Sequence, residues 1–154
     1  MELLLVLNLH GKINSSAAVR KALAELKVEK KFSASVVTDD DSTVGMLKLC
    51  KDYVAWSPVE EGLLTTLLEK RGMVSTQARL DARALSALGY KKHSELASKM
   101  LKEHLRLSQV GGLRPFFRLT PPKGGFRKSM RRQYSERGVL GKNPGLPDLV
   151  RRMI

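Results

Sequence analysis

Short unbroken apolar runs alternate along the chain with segments whose apolar residues recur every three or four positions. Residues 2–9 (ELLLVLNL) form an apolar run closed by His10-Gly11, which suits a central strand. Ser15 and Ser16 are good helix caps. After them Val19, Ala22, Leu23 and Leu26 recur at helical spacing and predict a helix of about 12 residues. Lys31 to Val37 reads as the next strand. Asp39-Asp40-Asp41-Ser42 then reads as a turn into a helix N-terminus, where negative charge complements the helix dipole. Val44, Leu47 and Cys50 share one face of that helix. Tyr53-Val54-Ala55-Trp56 is a short third strand. The order β-α-β-α-β implies crossover connections that lay the helices on one face of a sheet.

From residue 58 to about 107 the pattern is helical throughout. Ser57-Pro58-Val59-Glu60 looks like a helix start, with Ser57 as cap, Pro58 in the first turn and Glu60 completing a capping box. Leu63, Leu64, Leu67 and Leu68 are its buried face, and Gly72 its end. Asp81 is expected to cap a shorter helix through Leu85 and Leu88, closed by Gly89. A third helix is expected from about Ser94 to Leu105, with Leu96, Ala97, Met100 and Leu101 inward. Beyond Gly111-Gly112, Pro115 to Thr120 is one short extended piece. The rest is punctuated by proline and glycine and reads as too polar to bury, except for a terminal helix over Leu149 to Ile154. The expected organisation is a core at 1–57, a helical appendage at 58–110 and a basic extension at 111–154.

Charge alters this picture most. The chain carries +13 over 154 residues. Residues 1–60 hold eight basic and eight acidic side chains, residues 61–112 nine and five, and residues 113–154 eleven and two. A neutral front and a strongly basic end suggest a folded body with a segment that seeks a polyanion. Having little core of its own, that segment is expected to be disordered before it meets its partner, with Phe116 to Leu119 expected to pair with the folded body and Leu149 to Ile154 to dock on it. No apolar stretch is long enough to span a membrane. The apolar start, preceded by Glu2, is too short for a signal peptide. The single cysteine, Cys50, forms no internal disulfide and reads as a small core residue in a reducing compartment.

The chemistry concentrates in Thr120 to Lys142. Arg118, Lys123, Arg127, Lys128, Arg131, Arg132, Arg137 and Lys142 are the candidates for phosphate contact, with arginine favoured for its bidentate geometry. Gly124 and Gly125 would let the backbone approach a phosphate and offer N–H donors. Phe126 and Tyr134 could stack on bases. His10-Gly11-Lys12 reads as a turn that also touches RNA. The aspartate run fits no metal cage. The histidines His10, His93 and His104 have no cysteine at zinc spacing, and no catalytic constellation is visible. No metal, cofactor or small-molecule substrate is expected. An RNA-modifying enzyme is disfavoured because a cofactor loop and a catalytic cluster are both missing. A free-standing RNA chaperone or regulator would use the same binding chemistry.

Three stretches carry a family resemblance. Phe117-Arg118-Leu119-Thr120-Pro121-Pro122-Lys123-Gly124-Gly125-Phe126 resembles "RLHPPRGGF", with Thr120 in place of His and Lys123 in place of Arg. Gly45-Met46 followed by Lys51-Asp52-Tyr53-Val54-Ala55-Trp56 resembles "RGM…KDYITWG". Gly138-Val139-Leu140-Gly141 resembles "GGxLG". These are features of the archaeal-type, long form of large-subunit ribosomal protein L-thirty, related to the eukaryotic large-subunit protein L-seven. The chain departs from them at Ser57, where the family has glycine, and at Ser42-Thr43-Val44, where the approach to Gly45 is usually more basic. The resemblance implies an α+β fold with a ferredoxin-like core, a helical insertion and a basic, mostly extended C-terminal segment. It further implies a cytoplasmic, ribosome-bound, non-enzymatic protein whose partners are large-subunit ribosomal RNA and neighbouring ribosomal proteins.

Overall fold

The computed structural model describes residues 2–154. β1 (Leu3–Asn8) is buried along its whole length, and its alternate residues face opposite ways. Leu4 and Val6 join one apolar cluster, and Leu3, Leu5 and Leu7 join another. A strand coated on both sides needs an unbroken apolar run, which is what residues 3–7 supply. β2 (Ser33–Thr38) and β3 (Val54–Pro58) flank it, both antiparallel to β1. α1 (Ala17–Glu25) and α2 (Asp41–Leu49) cover the first face through Val19, Ala22, Leu23, Leu47 and Cys50. Helices on one face match the sequence expectation. α2 carries the chain past β1, so β2 and β3 run parallel to each other with β1 between them.

The predicted caps hold at three helices. Ser16 Oγ accepts from the Val19 N–H at 3.3 Å, Asp40 Oδ1 from Thr43 at 2.7 Å, and Asp81 Oδ1 from Ala84 at 2.8 Å. The predicted capping box at residues 57–60 does not form. β3 continues through Ser57 and Pro58, which stand opposite Leu5 and Leu4, and Glu60 precedes α3 (Glu61–Arg71) without a side-chain cap. Pairing with the buried central strand outweighs the local preference of Ser-Pro for a helix start, a case of tertiary context overriding propensity. α4 (Ala82–Ala87) and α5 (His93–Glu103) follow as expected, with Leu85 and then Leu96, Ala97 and Met100 buried.

The second face of the sheet is covered by α3, α4 and α5 together with the C-terminal segment, all in one continuous cluster. Arg106 ties the end of the helical block to the β2–α2 corner. Its Nε donates to Thr38 Oγ1 at 2.8 Å, and its Nη2 reaches Asp40 Oδ2 and Thr43 Oγ1. The Asp40 carboxyl is held down at about 2, first by the Thr43 N–H, then by the hydroxyls of Thr43 and Thr38 and the charge of Arg106.

The largest departure from expectation lies in residues 120–142, read above as punctuated by proline and glycine and too polar to bury. β4 (Phe117–Arg118) pairs antiparallel with β2 as an edge strand. After the Pro-Gly stretch come β5 (Ser129–Gln133) and β6 (Gly138–Lys142). β6 lies parallel to β3 and extends the sheet to six strands, in the order β4-β2-β1-β3-β6-β5. α6 (Leu146–Met153) then packs Leu146, Leu149, Val150 and Met153 into the second-face cluster. The basic segment therefore has a share in the main core: its two ends dock as expected, and the stretch between them is ordered as well. The burial of Val139, Leu140 and α6 secures it.

Candidate nucleic-acid interface

The interface is built at one end of the sheet. There β1 finishes at Asn8, β2 starts at Ser33 and β3 starts at Val54, so three chain turns meet: His10–Ser16, Lys27–Phe32 and Lys51–Tyr53. The basic segment crosses this end from the β4 edge to the β5 edge. Leu119 N–H donates to Phe32 O at 3.0 Å, and Thr120 bonds the Met153 carbonyl through both N–H and Oγ1. Lys123 N–H donates to Arg152 O at 3.1 Å. Arg152 Nη1 returns bonds to the carbonyls of Lys123 and Gly125 at 3.2 and 2.8 Å. Further on, His10 Nε2 donates to the Met130 carbonyl. Gln133 Nε2 donates to Lys51 O at 2.9 Å and Asp52 Oδ1 at 3.3 Å. The segment is tied down through its backbone and the Thr120 and Gln133 side chains, by partners that include the Arg152 guanidinium, which leaves its own charges outside.

All eight candidate phosphate ligands, Arg118, Lys123, Arg127, Lys128, Arg131, Arg132, Arg137 and Lys142, are solvent-exposed, and none is in an ion pair among the described residues. Arg118 stands on the β4 edge opposite Ser33, while Arg131 and Arg132 are exposed neighbours on β5, where the register with β6 is irregular. Arg137 occupies a left-handed turn (φ 64°) before β6. Lys142 lies further along the sheet, opposite Trp56, away from the rest. The structure thus gathers Arg118 to Arg137 into a belt and sets Lys142 beside it.

Two glycines behave partly as expected. Gly124 and Gly125 both have positive φ (79° and 72°), which glycine adopts without strain, and nothing crowds the space a side chain would fill. The Gly125 N–H is used internally, donating to Pro122 O at 3.1 Å, so it is not an outward donor. Phe126 is half-buried and stacks on Phe32 with centroids 6.1 Å apart and an interplanar angle of 24°. One of its faces is thereby committed to the protein. Gly138 and Gly141 are needed for another reason. A Cβ on Gly138 would strike the Arg132 carbonyl, and one on Gly141 would strike Gln133 Oε1. The close passage of β5 over β6 depends on these two missing side chains.

Sequence reasoning overlooked several contributors. Lys12, Lys31 and Lys51 come from the neutral front of the chain yet stand exposed at the same end of the sheet. The Lys31 ammonium lies 5.1 Å from the Phe32 ring centroid, over the partner of Phe126. Net charge by segment hid them, because it sums over acidic residues in different places: Asp40 lies beside Arg106, while Glu29 pairs with Lys12 at 3.4 Å at this same end. Arg152 was missed because it lies on a helix. The i, i+3 relation of Leu149 and Arg152 on the terminal helix would have placed it next to the belt.

The other chemical groups are structural. Cys50 is buried, its Sγ 3.8 Å from the Val19 carbonyl, and burial pushes its thiol up to about 11. His93 Nε2 bonds the Leu80 carbonyl at 2.9 Å, and His104 ends α5 in a left-handed conformation. No group of His, Cys, Asp and Glu that could hold a metal ion occurs among the described residues. No helix among them is long and apolar enough to cross a membrane.

No protein-family profile matches the chain. Direct comparison with individual proteins finds full-length relatives. The chain is 35% identical over 156 residues to large ribosomal subunit protein uL30 of Thermofilum pendens, covering 100% of both chains. It is 34% and 33% identical over 150 residues to the proteins of that name from Cenarchaeum symbiosum and Nitrosopumilus maritimus, covering 97% of each chain. The likeness thus runs over nearly the whole length of proteins bearing one name, and the chain belongs to the large ribosomal subunit protein uL30 family.

Proposed function

We propose that the chain is a structural constituent of the large ribosomal subunit in the cytoplasm, and that it acts by binding and stabilising large-subunit ribosomal RNA, without a chemical step. The observation that carries this reading is the cationic belt. From Arg118 to Arg137, seven exposed and unpaired cations lie on a backbone fixed to one end of the sheet. Like charges held this way repel one another, and a phosphate backbone relieves that repulsion. In this reading Arg118, Lys123, Arg127, Lys128, Arg131, Arg132, Arg137 and Lys142 meet phosphates, and Gly124 and Gly125 give the RNA backbone room. Residues 1–57 serve as the platform, 58–110 as the cover of its second face, and 111–154 as the RNA-facing belt. The names of the relatives support the ribosomal setting, and neighbouring ribosomal proteins would share it.

The test is the salt dependence of binding to a large-subunit ribosomal RNA fragment. If six belt cations meet phosphates, log affinity should fall against log salt with a slope of about 4 to 5 in magnitude. A slope near 1 would refute the belt as the binding surface.

A further inference from the structure

Between the basic segment and α6 lies a cavity of about 230 Å³. Phe126 and Tyr134, the two aromatic side chains of residues 120–142, both line it, with Val139 and Leu149 adding apolar surface. Arg127, Lys128 and Arg152 stand around it. The cavity is below the roughly 300–1,000 Å³ typical of sites that enclose drug-sized molecules, and has room for one ring system. Its polar lining is largely committed. The Asn143 amide donates to the Val139 carbonyl at 3.0 Å and accepts from the Gly145 N–H at 2.9 Å. The Asp148 carboxylate accepts from Arg151 Nη1 at 3.1 Å.

We propose that this cavity receives a single unstacked RNA base, with the adjoining phosphate held by Arg127 and Lys128. The inference rests on the RNA-binding reading above and adds a definite contact to it. Aromatic walls with cations around them fit a flat ring joined to an anionic backbone, the combination by which proteins hold extruded nucleotides. Phe126 is backed by Phe32 and is a fixed wall. Tyr134 already holds a cation, the Lys128 ammonium lying 4.6 Å from its ring centroid. An entering base takes that position, and the ammonium moves to the phosphate. With Asn143 engaged internally, the cavity holds its base by stacking and is indifferent to base identity. A bulged base is the natural occupant, because it costs least to unstack.

The test uses the full-length protein and two short RNA hairpins, one with a single bulged 5-bromouridine and one identical but without the bulge. Wild type should bind the bulged hairpin about tenfold more tightly, the scale of one base–aromatic stack. On irradiation it should crosslink at Phe126 or Tyr134, a readout that needs no variant. Tyr134→Ala should abolish the preference while still binding both hairpins, and Tyr134→Phe should keep it. Equal affinity for the two hairpins with a steep salt dependence would overturn base capture and leave the RNA-binding reading standing. A crosslink mapping elsewhere, or a preference that survives Tyr134→Ala, would also overturn it. Failure to bind either hairpin would overturn both readings.

Discussion

All six residues of β1 are buried and none is charged, whereas in β5 three of five are exposed and two are arginines. The two strands belong to one six-stranded sheet. β1 is held by apolar surface on both faces. β5 is held by ladder bonds to β6, by His10 at Met130, by Gln133 at Lys51 and by two glycines that let it pass close. The contrast teaches how a chain of net charge +13 folds at all: burial acts at the middle of the sheet, and the charges are carried on an edge anchored by neutral groups. Charged side chains on such an edge also discourage pairing with other exposed strands.

The contrast can be broken from either side. Leu5→Ala removes a fully buried side chain from the central strand. It should cost about 2–5 kcal/mol in chemical denaturation while leaving the salt slope of RNA binding by the folded protein unchanged. A loss below about 1 kcal/mol would mean that the centre does not carry the fold. Gly138→Val places a side chain against the Arg132 carbonyl. It should cost about 1–3 kcal/mol through overpacking. It should also raise the hydrogen-exchange rate of amides 129–133 and weaken RNA binding. Stability lost without change at those amides would uncouple β5 from its glycines.

A smaller effect concerns the Asp40 cap of α2, to which Arg106 ties the helical block. The Asp40 carboxyl titrates at about 2 in the fold, against an ordinary value near 4. The lowered value means that the folded state favours the ionised form. The stabilisation is fully present above about pH 4 and is lost as pH falls toward 2. With the carboxylate 31% exposed, solvent screening limits it to roughly 1–2 kcal/mol. Asp40→Asn should flatten that part of the stability–pH curve, and an unchanged curve would mean that the Asp40 cap of α2 does not stabilise the fold.

The sequence made the centre legible because burial leaves a periodic trace. The run at residues 3–7, the Ser16, Asp40 and Asp81 caps, and the spacing of Leu63 to Leu68 all state their roles locally. The charged candidates were legible too, since solvent exposure is what their side chains demand. β5 and β6 were not. Ser129–Gln133 shows no apolar alternation, and its pairing with β6 depends on the absence of side chains at Gly138 and Gly141, which a local reading scores as turn residues. The Ser57-Pro58 misreading has the same origin, because its partner in β1 lies more than fifty residues away in sequence. The stack of Phe126 on Phe32 was hidden as well, because the two lie far apart in sequence.

If the belt anchors this protein to ribosomal RNA, its occupancy of the large subunit depends on Arg131 and Arg132. The double variant Arg131→Glu, Arg132→Glu changes two exposed side chains, so its folding stability should stay within about 0.5 kcal/mol of wild type. In sucrose gradients, its ratio to the large subunit should fall well below the one copy expected of wild type, and a moderate salt wash should strip what remains. Wild-type occupancy of the washed subunit by the double variant would contradict anchoring by the belt.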